Sequence, residues 1–186
     1  MQAAKELLKT IAGTYFGDFL PPLARFASKD AQIWAFEPNP ESYHCARVTI
    51  EINQLGNVHF MNAGLGERSE LLDFVTTHDG VALGGASHIV RHQAGAISVS
   101  ANDSRPVQVV TIDDIVPADR PVSIVQLDVE DHEQYALTGA LQTIRRSRPI
   151  LILETLPEAG WIEQNLTPLG YRQEAKVPHN FILTCG

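Results

Sequence analysis

Two carboxylates in this chain end apolar runs, and each is placed to hold a ligand at the rim of a sheet. Ile33-Trp34-Ala35-Phe36 runs into Glu37, with Pro38-Asn39-Pro40 directly after it. The run reads as a buried strand, Asn39 as a helix cap, and Pro40 as a residue suited to the first helical turn. A carboxylate at the carboxyl end of a second strand can accept hydrogen bonds from a ribose. Glu37 lies 20 residues after Gly17, close to the spacing expected between a glycine turn and such an acid. The chemistry this predicts is a nucleotide-type cofactor held through its sugar hydroxyls.

The second constellation is Val125-Gln126-Leu127-Asp128-Val129-Glu130-Asp131-His132-Glu133. Asp128 would emerge on the same rim as Glu37 and could hold an ammonium group or a substrate hydroxyl. His132 titrates near neutrality when unperturbed and is a candidate general base. Capping of a helix start explains Asp131 and Glu133 equally well, but explains Asp128 less well because that residue ends an apolar strand. Magnesium held by these oxygens is a minor reading. His78, His88 and His92 lack a metal-binding pattern and read as exposed. No metal is expected.

Gly13-Thr14-Tyr15-Phe16-Gly17 follows a candidate strand and precedes a candidate helix, so Gly13, Thr14 and Gly17 are cofactor-loop candidates. Two glycines fall short of the three in the dinucleotide fingerprint. A cofactor without phosphate, such as S-adenosylmethionine, needs only room and a few polar contacts. Asn62-Ala63-Gly64-Leu65-Gly66 ends another strand. There Asn62 could hydrogen-bond an adenine and Ala63 could let it lie flat, while a plain turn is an equal reading.

The elements that must position these residues alternate between strand and helix. Strands are expected over residues 7–12, 32–36, 58–62, 71–76, 107–112, 123–127 and 150–153. Helices are expected over 18–28, with Phe19, Leu23 and Phe26 on one face, over 41–55, and after Asp131 through Leu137, Ala140, Leu141 and Ile144. Another helix is expected over 157–166, and Tyr171–Val177 with Asn180–Thr184 suit a closing hairpin. Gly64-Leu65-Gly66 reads as a turn, and His78 to Asp103 as a long glycine-rich connection. Repeated β-α-β units predict one α/β domain over residues 1–186, with a doubly wound, mainly parallel sheet and an antiparallel edge strand.

Composition narrows the classes. With 186 residues, 44% apolar and 19% charged, the chain suits one globular domain. A formal net charge of −8 weighs against nucleic acid and anionic membrane as partners. Arg145-Arg146-Ser147-Arg148 is a basic cluster that suits the last turn of a helix. Cys45 and Cys185 lack a partner pattern for a disulfide framework or zinc. Without an apolar run of membrane-spanning length or a secretory leader, a cytoplasmic protein is the expectation.

Taken in order, these segments resemble the FkbM family of S-adenosylmethionine-dependent methyltransferases, from about Gly13 to Leu183. Ala35–Pro40 resembles the family's AFEPNP, Asn62–Gly66 its NxALG, and Leu127–Glu133 with Leu137 and Gly139-Ala140 its IDVEGHE…L.GA. Pro149–Glu154 is similar to its RPxxxxE strand, and Asn180-Phe181 to its ending. The resemblance implies a class I methyltransferase (Rossmann-like) fold and methyl transfer from S-adenosylmethionine to an oxygen of a small molecule or sugar. It places the cofactor against Gly13, Thr14, Gly17, Glu37, Pro38, Asn39, Asn62, Ala63 and Asp128, gives catalysis to Asp128 and His132, and puts Ser87 on a lid. Two departures are visible. Lys9–Gly17 carries no acid where the family has DxGAxxG, and Asp131 stands where glycine is usual. The chain also opens almost at its first strand, so a homodimer completing the site is among the expectations. A non-catalytic S-adenosylmethionine-binding protein and a nicotinamide-dependent oxidoreductase remain the alternatives.

Overall fold

In the computed structural model, which describes residues 8–27, 30–91 and 103–186, the first two apolar runs form β1 (Leu8–Ala12) and β2 (Gln32–Phe36), joined through helix α1 (Leu20–Phe26). Asn39 opens α2 (Pro40–Ile52): its Oδ1 accepts from the Glu41 and Ser42 backbone N–H groups, and Pro40 fills the first turn. Next come β3 (Val58–Met61), β4 (Gly64–Leu65), β5 (Glu70–Val75), a small hairpin of β6 (Thr77–His78) with β7 (Val81–Ala82), β8 (His88–Val90) and β9 (Ser104–Val110). Helix α3 (Ile112–Ile115) leads into β10 (Val122–Leu127), α4 (Glu133–Thr138), α5 (Leu141–Ser147), β11 (Ile150–Leu153) and α6 (Ala159–Asn165). The hairpin of β12 (Tyr171–Val177) and β13 (Asn180–Cys185) completes the described chain.

Seven strands form one sheet in the order β12-β13-β11-β10-β1-β2-β3. All neighbours from β11 to β3 are parallel, and β13 is antiparallel to both β11 and β12. The strands are apolar on both faces because helices cover both. Ile11, Ile33 and Ala35 pack with Leu20 of α1 on one side. Their sequence neighbours Ala12, Trp34 and Phe36 point the other way, into the core that includes Leu137 of α4 and Ile144 of α5. This is the doubly wound, mainly parallel arrangement with an antiparallel edge that the alternation predicts. Among the described residues, no helix is long and apolar enough to cross a membrane.

Several expectations need correcting. Gly64-Leu65 is not a turn: it is β4, paired in parallel with β9 in a second sheet of order β4-β9-β5-β8. The connection after His78 contains β7 and β8, and β8 pairs antiparallel with β5. His92 and the rest of that connection up to residue 102 lie outside the described residues, as do Leu7 and Ser28. Leu20 rather than Phe26 anchors α1, and Phe26 is 89% exposed. Pro21 and Pro22 stand in the first turn of the helix, and Phe19 and Leu23 pack beside Leu20 on the same side as expected. Ile112 begins α3 rather than ending a strand, with Thr111 Oγ1 accepting from Asp114 N at 3.0 Å.

The helix expected after Asp131 is two helices. The chain there passes so close to the second sheet that a Cβ on Gly139 would sit 2.0 Å from the Gly66 carbonyl oxygen. The break leaves the start of α5 to the Asp113 carboxylate, which accepts from Gln142 N and Thr143 N at 2.9 and 2.8 Å. Arg145 and Arg146 occupy the last turn of α5, where cations complement the helix dipole. Gly139→Ala should lower stability by about 1–3 kcal/mol through overpacking. Urea denaturation of the variant beside wild type checks this, and an unchanged midpoint would count against the close approach.

Candidate functional site

Strand register builds the site. Ala12 is paired with both Phe36 and Leu127, Leu127 with Leu153, and Phe36 with Met61. The next residue of each strand therefore leaves the sheet along one line, giving Gly13, Glu37, Asp128, Glu154 and Asn62. This is the rim on which open α/β sheets hold ligands. A cavity of about 440 Å³ opens there, floored by Gly13, Glu37, Asp128 and Glu154 and bounded on the β8 side by Gly84, Ser87 and Ile89.

Glu37 is only 5% exposed. Its Oε2 accepts from Tyr15 N at 2.8 Å and its Oε1 from Asn39 N at 2.9 Å. Tyr15 reaches that geometry in the left-handed region, at φ 47°, uncommon for a residue with a side chain. Burial pushes the Glu37 carboxyl up to about 7 against the pull of the two N–H donors. The bend at Gly13 (φ +79°) is tight, since a Cβ there would lie 1.8 Å from the Asp128 carbonyl oxygen.

At the other end of the cavity, carboxylate oxygens of Asp128, Glu130 and Glu154 all lie within 4.8 Å of one another. Burial, then a hydrogen bond with Asp128 and its charge, push the Glu154 carboxyl up to about 7. Burial, with the charges of Asp128 and Asp131 behind it, also raises Glu130. Glu130 and Asp131 are both left-handed, at φ 52° and 65°. That accounts for the glycine usual at the Asp131 position, because aspartate tolerates this region better than most residues. Thr155 Oγ1 donates to Asp131 Oδ1 at 3.3 Å.

The structure brings Gly13, Glu37, Pro38, Asn39, Ala63, Ser87 and Asp128 to this cavity. Thr14, Gly17, Asn62 and His132 are not among its lining residues. Thr14 is buried and donates from Oγ1 to Phe36 O at 2.6 Å, tying the loop to β2. Gly17 (φ +72°) packs against Ala46 of α2. Asn62 uses its amide to donate to Glu37 O and Pro38 O, bracing the turn behind the acid. Ser87 Oγ donates to Gly84 O at 2.7 Å within a short turn.

His132 lies in a neighbouring cavity of about 360 Å³, with Arg91 and Tyr135. It is 3% exposed, its Nε2 has no partner, and burial followed by the Arg91 charge pushes it down to about 4. Arg91 itself is paired with Glu67 and Glu70 at 3.1 and 2.7 Å and lies over the Tyr135 ring. His132 is therefore a neutral side chain packed beside Gly66 and Tyr135.

Glu154, Tyr15, Glu130 and His179 also line the main cavity, and none of them is among the cofactor or catalytic residues expected from the sequence. Glu154 was findable. It ends the apolar run Ile150–Leu153 just as Glu37 and Asp128 end theirs. Tyr15 acts through its backbone and His179 arrives from the β12–β13 turn, so neither carries a local signal.

The chain matches the family described as Methyltransferase FkbM domain over residues 12–173. Among solved structures it is similar to an FkbM methyltransferase from Methylobacillus flagellatus KT, at 16% identity and a TM-score of 0.58 over 96% of this chain and 43% of that one. A methyltransferase from Geobacter sulfurreducens is similar at 14% identity and a TM-score of 0.51, over 97% of this chain and 71% of that one. The chain thus spans less than half the length of the first of these. No curated protein matches it in sequence. The likenesses establish the class I methyltransferase fold.

The raised Glu37 carboxyl has a signed consequence. Between about pH 4.5 and 7 the folded protein without ligand keeps a proton on Glu37 that the unfolded chain has lost, so this residue makes stability fall as pH rises through that window. Glu37→Gln lacks that loss. Its stability relative to wild type should rise by up to about 3 kcal/mol between pH 4.5 and 7 and then level off. Denaturation midpoints of both proteins across that range measure it, and a constant difference would mean Glu37 titrates normally.

Proposed function

We propose that this chain, which belongs to the FkbM methyltransferase family, binds S-adenosylmethionine along the rim of β2, β1 and β10 and directs methyl transfer to an oxygen of a small molecule or sugar. The observation that carries this reading is Glu37. It is a buried carboxylate fixed by two backbone donors at the end of β2, and it faces a cavity large enough for a nucleoside. Each of its oxygens keeps a lone pair for one of two vicinal ribose hydroxyls. Small walls at Ala63 and Gly64 suit a flat base, and the acids at the far end suit a cationic tail.

S-adenosylmethionine bound here would supply an electrophilic methyl group. The chain's own residues supply position. Glu37 fixes the ribose, Pro38 and Asn39 continue the wall beside it, and Asp128 orients the charged end. Ser87 and the glycines before it border the opening from the β8 side, where an acceptor would be held in line and kept from water. The carboxylates at the rim and the net charge of −8 weigh against a polyanionic acceptor such as nucleic acid. A binding protein without catalysis is the second reading, favoured by the absence of an acid in Lys9–Gly17 and by the placement of His132 outside the main cavity.

Titration calorimetry with S-adenosylmethionine tests the proposal. Glu37→Ala should weaken binding about 10- to 150-fold, the equivalent of about 1.5–3 kcal/mol for charge-assisted hydrogen bonds. Equal affinities would remove Glu37 from the site, and preferential binding of NADH would replace the cofactor. Asp128→Asn that keeps affinity but loses methylation of a sugar or small-molecule acceptor would separate the enzyme from the binding protein.

A further inference from the structure

Tyr15 meets the main cavity twice. Its backbone N–H donates to Glu37 Oε2 at 2.8 Å, on the rim of the seven-stranded sheet. Its side chain lines the same cavity and ends on the opposite wall, at the turn between β7 and β8. A Cβ placed on Gly84 of that turn would lie 3.5 Å from the phenol oxygen. The ring therefore spans from the loop after β1 to bare backbone at Gly84, and a ligand held by Glu37 sits beside it.

Both ends of that span are tied down by hydrogen bonds. On the Tyr15 side, Thr14 Oγ1 donates to Phe36 O, Gly17 N to Thr14 O at 2.8 Å, and Thr49 Oγ1 to Phe16 O at 3.1 Å. On the Gly84 side, Leu83 N donates to Thr76 O at 2.9 Å, and Ala86 N to Leu83 O at 3.1 Å. Ser87 donates to Gly84 O from both its N–H and its Oγ. The Tyr15 ring is held less firmly. It is 37% exposed and rests on the Phe16 ring, itself 45% exposed, with centroids 3.9 Å apart. Rotation about its own torsions can swing it outward without disturbing the core.

We propose that the Tyr15 side chain is the gate of the main cavity: its ring closes the mouth against Gly84, and ligand enters and leaves when the ring rotates outward. This rests on the cofactor reading above and assigns the moving part to one side chain, with the turn that carries Ser87 as a fixed wall. The consequence is kinetic. Entry and exit are both slowed in proportion to the time the mouth is closed. Exit is slowed further, because the closed ring also touches the bound ligand. Release of product from beneath such a cover is a common limit on turnover.

Tyr15→Asn is the discriminating variant. Asparagine tolerates the left-handed backbone at this position and keeps the N–H for Glu37, but its side chain is too short to reach Gly84. Surface plasmon resonance with S-adenosylhomocysteine should show association about threefold faster and dissociation about tenfold faster than wild type. Tyr15→Phe keeps the ring and should stay within about threefold of wild type in both rates. In the free wild-type protein, a nuclear Overhauser contact between the Tyr15 ring protons and Gly84 Hα reports the closed mouth. Unchanged dissociation in Tyr15→Asn, equal acceleration in Tyr15→Phe, or absence of that contact overturns the gate while leaving the cofactor reading in place. Failure of both S-adenosylmethionine and S-adenosylhomocysteine to bind wild type overturns the cofactor reading, and the gate with it.

Discussion

The burial of a single carboxylate organises the cavity edge of this protein. Glu37 is removed from water at the end of β2, and an ionised carboxylate in that position is costly unless donors surround it. The donors are backbone N–H groups, one from Tyr15 in the loop after β1 and one from Asn39 at the start of α2. Meeting that need fixes the loop in a left-handed bend at Tyr15 and locks the first turn of α2 against the sheet. Thr14 and Asn62 reinforce the same junction, bonding to the Phe36, Glu37 and Pro38 carbonyls. Loop, strand end and helix start are therefore joined as one hydrogen-bonded unit.

The second sheet, of order β4-β9-β5-β8, sets the other contacts around the cavity. It lies against α4 through contacts that leave no room for side chains, as between Gly66 and Gly139. His132 fills the space beside Gly66, and the Arg91 guanidinium, held by Glu67 and Glu70, closes it. Polar groups here serve packing between layers, even though the same histidine four residues after Asp128 looks like chemistry on paper. Burial next to a cation determines its state: a neutral imidazole is the cheaper form.

Much of this architecture was legible in the sequence. Each central strand is an apolar run whose length and ending match the sheet, and Asn39-Pro40 marks the start of α2 by local chemistry alone. Glu37 and Asp128, which face the cavity, were legible for the same reason, since an acid that terminates a buried strand has no core role to explain it. What could not be read was anything decided between distant segments. Gly64-Leu65 becomes a strand because β9 lies alongside it, and the α4–α5 break exists because Gly66 passes beneath. Thr14, Gly17 and Asn62 carry the residue types of a binding loop, yet their polar atoms or backbone are used in holding that loop together. Types and spacing identified the right neighbourhood there, and only hydrogen-bond geometry separated the residues that face the cavity from those that support it.

The central place of β1 also shapes how the chain must assemble. Its left neighbour is β2, close in sequence, but its right neighbour is β10, so Ile11 waits for Gln126 and Ala12 for Leu127. A chain emerging from the ribosome can join β1, β2 and β3 early, leaving one flank of β1 with open hydrogen-bonding groups through the synthesis of all four strands of the second sheet. Such an unpaired flank is a template for wrong pairing. Long-range parallel pairing is also slow to form, because loop closure precedes the contacts that reward it. Folding of the cavity edge is thus tied to the arrival of β10, and the strand that brings Asp128 to the cavity is the same one that seals the half-built sheet.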